Sequence, residues 1–107
     1  MNKFGMYAKF TAKPGQRDAL ADILLEAAAA AEAVEECELY IINFTGNDPD
    51  TLWVTEVWSH KEAHAASLTQ EATREAIQRA MPLIAGVESI PLNPMGGKGL
   101  SFSPDQL

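Results

Sequence analysis

Glu56, His60 and His64 recur at intervals of four residues. Two imidazoles one helical turn apart, joined by a carboxylate, make a donor set for a divalent metal. That set requires all three on one helix face. Glu56, however, falls in TLWVTEVW, a run of β-branched and aromatic residues that reads as a strand. Its carboxylate need not converge with the histidines, and no metal is expected. Trp58 ends the same run just before Ser59, and Ser59 with Glu62 three residues on has the capping-box pattern of a helix start. A tryptophan there is either a core aromatic or the wall of a pocket between sheet and helices. Gly96-Gly97-Lys98-Gly99 invites a phosphate-loop reading, but Leu92 stands where the upstream glycine belongs and Gly99 where Ser or Thr would meet the metal. No nucleophile elbow or Gly-rich nucleotide fingerprint occurs.

The elements that must position these side chains follow from periodicity. From Phe4 to Ala12 the chain alternates, with Phe4, Met6, Ala8 and Phe10 on one side, and this predicts a strand. Lys13-Pro14-Gly15 turns the chain. Leu20, Ile23, Leu24 and Ala27 then form a helical stripe over 16–34. Residues 38–44 form a second strand. The turn-rich Thr45 to Asp50 joins it to the third, Thr51 to Trp58, as an antiparallel hairpin. A helix from Ser59, with a break near Thr69, runs on to Pro82. Residues 86–92 make a fourth strand, and Pro91 marks it as an edge. The order β-α-β-β-α-β is the α+β, ferredoxin-like split βαβ arrangement with a four-stranded antiparallel sheet. From Pro94 on, three glycines and Pro104 imply an extended chain. This sets one domain at residues 1–94 and a flexible or interface tail at 95–107. In the third strand, Trp53, Thr55 and Val57 share one face, and Leu52, Val54, Glu56 and Trp58 the other. Both faces are apolar, yet helices cover only one, so a second copy of the chain is expected on the bare face.

Bulk properties bound the function. With 107 residues the chain fits one domain of modest core. A content of 47% hydrophobic and 21% charged residues is that of a folded protein. A net charge of -7 with only 8 Lys and Arg argues against nucleic acid and against anionic membranes as partners. Cys37, the single cysteine, permits no intramolecular disulfide and no thiolate metal cage. It fits a reducing compartment, and the N-terminus has no apolar signal-peptide core, so a cytoplasmic location is expected.

The runs AKFTAKPGQRDALADILLEA, CELYIINF and DPDTLWVTEVWSHKEAHAASL resemble the antibiotic biosynthesis monooxygenase family, which takes in quinol monooxygenases, over residues 3–94. Glu56-x-Trp58 ahead of Glu62-Ala63-His64 is the most specific part. The resemblance implies a dimeric α+β barrel with a pocket between sheet and helices in each subunit. It also implies oxidation of an electron-rich phenol or quinol by O₂ without cofactor or metal. Trp58 matches the family's pocket tryptophan. Haem-degrading relatives bind iron through a histidine where this chain has Ser67, and carry an asparagine where it has Ala8, so haem degradation is not the expectation. The reading is a cofactor-independent monooxygenase of a hydroquinone or polyphenol. Trp58, His64 and Ser67 are its catalytic candidates, with His64 as base or as a mere solvent-facing residue. Met6, Tyr40 and Glu56 are lining candidates. The rival is a homodimer that binds a small molecule, or serves a stress response, without catalysis.

Overall fold

The computed structural model describes residues 2–99. Strand β1 (Phe4–Ala12) leads into helix α1 (Arg17–Ala31). The β2 (Cys37–Phe44) and β3 (Thr51–Trp58) strands follow, then α2 (Lys61–Ser67), α3 (Glu71–Ala80), a 3₁₀ turn at Met81–Leu83 and β4 (Ile84–Leu92). The sheet order is β2-β3-β1-β4, antiparallel throughout. This is the ferredoxin-like βαββαβ fold the periodicity predicts.

The alternation of β1 resolves as expected. Ala8 and Ala12 are buried under α1, and Met6 and Phe10 pack against the same core. From β3 come Leu52 and Val54, and from α1 Leu20, Ala21, Ile23 and Leu24. The edge position of β4 accommodates Pro91, which has no N–H to give to an outer neighbour. On the other side of the sheet Tyr7, Ile41 and Ile90 are aligned in one row across the strands and are 45–52% exposed. Gly5 lies on this side too. A Cβ there would sit 3.1 Å from Cγ of Pro94, so its lack of a side chain lets the segment after β4 fold back onto β1.

Several boundaries differ from the sequence reading. Helix α1 stops at Ala31 rather than near Val34, because the N–H groups of Ala33 and Val34 turn to carbonyls only three residues back. The break near Thr69 is present, between α2 and α3. Ser59 is not the cap of α2. The helix begins at Lys61, His60 is its N-cap, and the Ser59 hydroxyl donates instead to Glu38 at 3.0 Å. Of the expected tail, residues 100–107 lie outside the described residues.

Leu20 is wholly buried beneath the sheet. Leu20→Ala should lower stability by about 2–5 kcal/mol, the cost of a core cavity. Urea titration should show a lower midpoint at unchanged slope, and a loss under about 0.5 kcal/mol would contradict this packing.

Candidate active site

Glu56 and Trp58 are two residues apart on β3, so their side chains fall on the same helix-covered face as Leu52 and Val54. Strand register adds neighbours. Met6 of β1 and Tyr40 of β2 stand directly opposite Glu56, and Phe4 and Cys37 opposite Trp58. Of the eight residues of β2, seven pair with β3, because the strand carries a bulge. The register shifts between Cys37 and Leu39, which leaves Glu38 as the extra residue. Glu38 turns to Lys3, which reaches both its carboxylate oxygens, and to Ser59.

Helix α2 brings His64 to this face. Its Nε2 lies 3.9 Å from Oε1 of Glu56, too long for a hydrogen bond but within ion-pair range. The same carboxylate oxygen accepts the Trp58 indole N–H at 3.0 Å. The imidazole meets Trp58 edge-on, with centroids 5.6 Å apart, and tilts over Phe4 at 5.1 Å. Glu56 and His64 side chains are 11% and 16% exposed. The sequence does not require a strand-borne Glu56 to converge with the two histidines, and it meets only His64, because the short α2 folds back over the end of β3.

Burial raises the proton affinity of Glu56 above the ordinary 4.5, and the Trp58 N–H and the His64 charge pull partly the other way. Tyr40 is pushed well above the usual phenol range, by burial first and then by the charge of Glu56. Burial likewise pushes the Cys37 thiol up, with Glu56 adding to it. Tyr40 and Cys37 thus keep their protons at neutral pH, and neither is an activated nucleophile. The group suited to exchanging a proton with the imidazole is the Glu56 carboxyl.

His60 does not join the cluster, since its Nδ1 accepts from the Ala63 N–H at 3.1 Å. Among the described residues no three His, Cys, Asp or Glu side chains form a metal-binding group. The Ser67 hydroxyl donates to the His64 carbonyl at 2.6 Å, within its own helix. Trp58 is 4% exposed, so the space beside it is packed by side chains. One open hollow of about 410 Å³ lies at Phe4, His60 and Lys61, and another of about 450 Å³ between the C-terminal half of α1 and the start of β2, with Leu25, Ala28, Ala29, Cys37 and Tyr40 in its wall. Tyr40 connects that hollow to Glu56 across the β2–β3 ladder. Sequence reasoning missed Phe4 and Cys37, although the β1 alternation already placed Phe4 beside Met6.

The sequence pattern of the antibiotic biosynthesis monooxygenases matches residues 4–79. The chain belongs to this family. A structure described as a "putative antibiotic biosynthesis monooxygenase" from Chloroflexus aurantiacus is 40% identical, covers 92% of this chain and 99% of its own, and superposes with a TM-score of 0.85. One of the same description from Caulobacter crescentus is 18% identical over 89% and 92% of the two chains, at 0.83. A Pseudomonas aeruginosa structure is 21% identical over 90% and 97%, at 0.82. The latter two share the fold. No match is found among curated proteins. The family match runs from the start of β1 nearly to the end of α3, so it contains every residue of this cluster.

The raised Glu56 value has a measurable consequence. Above pH 4.5 an unfolded Glu56 releases its proton while the folded one retains it, so its contribution to stability falls as pH rises from 4.5 through the folded value. The stability difference between wild type and Glu56→Gln should therefore decline across that window. Trp58→Phe, which removes the indole donor, should move the Glu56 carboxyl titration further up when followed by ¹³C NMR. A Glu56 that titrates at or below 4.5 would contradict the burial.

Proposed function

We propose that the chain is a cofactor-independent monooxygenase that oxidises a hydroquinone or related polyphenol with O₂. The observation that carries this reading is the convergence of Glu56, Trp58 and His64 under the helices, in a chain of the monooxygenase family. His64 takes the phenolic proton, and the Glu56 carboxylate, with its raised proton affinity, stands ready to receive it. The resulting phenolate is electron-rich enough to pass an electron to O₂. Recombination of the two radicals forms the carbon–oxygen bond, and loss of water leaves a hydroxyquinone. One oxygen atom enters the ring and the other departs as water. Trp58 acts as an organiser, fixing the Glu56 carboxylate through its N–H. The substrate ring enters from the hollow at Tyr40, with Met6 on the opposite strand, and Ser67 stiffens α2 behind His64. Closure of that hollow around the ring would keep water from the radical pair.

The packing of Trp58 favours a second reading, a dimer that binds a small aromatic molecule at the hollow without turning it over. Oxygen uptake with a reduced naphthoquinone, with no metal added, separates the two. Catalysis predicts substrate-dependent uptake that falls roughly 10²–10⁴-fold in His64→Ala, read well below that variant's own melting temperature. Binding without uptake in the wild type would establish the second reading.

Both readings place a second copy on the open sheet face, where Tyr7, Ile41 and Ile90 form an apolar row. Among the described residues no helix is long and apolar enough to cross a membrane, and the assembly is assigned to the cytoplasm, where Cys37 stays reduced. Light scattering should give about twice the 11.6 kDa chain mass. Ile41→Asp should shift the protein toward monomer, and a monomeric wild type at micromolar concentration would remove the dimer from the proposal.

A further inference from the structure

Helix α2 has little to hold it. It spans seven residues, none of them buried, and isolated helices shorter than about 12–15 residues are marginal in water. Two things fix it. The His64 ring rests on Phe4 and Trp58, and the first turn is tied by His60, whose Nδ1 accepts from the Ala63 N–H at 3.1 Å. The same N–H is 3.2 Å from the His60 carbonyl, so the ring shares this donor. A ring nitrogen accepts only without a proton, which makes His60 here the neutral imidazole with its hydrogen on Nε2. Ser, Thr and Asn caps are indifferent to pH near neutrality, whereas an imidazole cap is not.

We propose that His60 is the positioning residue for His64: its neutral ring holds the first turn of α2, and protonation of that ring releases the turn and loosens His64 from Trp58 and Glu56. Protonated Nδ1 becomes a donor facing a donor, so the cap changes from attraction to repulsion. The partial positive charge of the helix start opposes the new cation as well. The hollow that His60 lines is walled by Asn2, Lys3 and Phe4 at the start of the chain, Lys61 and Glu62 on α2, and the uncharged Leu92 and Asn93 at the end of β4. Lys3 is bound to Glu38. Lys61 and Glu62 carry opposite charges. This inference deepens the role proposed for His64 and rests on that reading for its catalytic meaning.

The test reads structure, so it can fail separately from the proposed reaction. A pH series on the full chain by ¹⁵N NMR compares wild type, His60→Asn and His60→Ala. In the wild type His60 should show the Nε2–H tautomer at high pH. As its ring gains a proton, the Ala63 amide should lose exchange protection by about fivefold, the loss of one cap, and contacts between the His64 and Trp58 rings should weaken with the same midpoint. His60→Asn should keep both at every pH, and His60→Ala should show weak Ala63 protection throughout. Protection in the wild type that stays flat while His60 titrates overturns the proposal. So does a His60→Asn protein that loses protection at the wild-type midpoint.

Discussion

The Glu56 carboxyl sits beneath the helices, where an unpartnered ionised oxygen would cost several kcal/mol. Much of the local architecture answers that cost. The indole N–H of Trp58 arrives from the same strand, two residues on, without any loop having to be placed. His64 arrives from α2 and supplies a group that can carry the opposite charge. Tyr40 and Met6 close the flanks from β2 and β1. What remains is a carboxyl largely withdrawn from water, and its raised proton affinity expresses that burial, only partly offset by the Trp58 N–H and His64. A carboxyl desolvated in this way beside an imidazole can take and return a proton.

The bulge at Glu38 makes this arrangement possible at the open end of the sheet. One extra residue in β2 turns Glu38 out of the ladder and toward Lys3 and Ser59. That ion pair joins the start of β1, the start of β2 and the end of β3, with both side chains largely shielded from water. The bulge also sets which β2 residues meet the β3 site. Beyond it, Tyr40 opposes Glu56, whereas an unbroken register would slide β2 by one residue and turn Tyr40 to the open face. A residue that looks like an ordinary surface charge in the sequence therefore decides how Glu56 is surrounded.

Periodicity made the framework legible. The alternation of Phe4, Met6, Ala8 and Phe10 placed the covered face of β1, and the split of β3 into Leu52-Val54-Glu56-Trp58 and Trp53-Thr55-Val57 is the split the structure has. Propensity could not show how the ends are satisfied. Ser59 and Glu62 fit a capping box, yet Ser59 is drawn off by Glu38, a partner 21 residues away, and the cap passes to His60. The same blindness hid the meeting of Glu56 with His64. A strand residue and a helix residue share no period, so only the tertiary turn at His60 reveals that they converge. Ser67 shows the reverse case. It was singled out by its place in a family pattern, and its hydroxyl is held by the backbone of its own helix.

The alanines of α1 have a consequence beyond helix propensity. Ile23 and Leu24 fill the space over β1 and β3, but towards the C-terminal end the facing residues shorten to Ala28 and Ala29. Short side chains let a helix form readily while leaving the volume above Tyr40 and Cys37 unfilled. In a core selected for packing alone such a gap is a loss, since each missing methylene forfeits transfer energy and contact. It falls beside Tyr40, the residue that stands opposite Glu56 across the β2–β3 ladder. The helix that closes the core at its N-terminal half thus leaves it open at the other, next to the groups able to move a proton. Space and chemistry coincide there because one helix changes from large to small residues along its length.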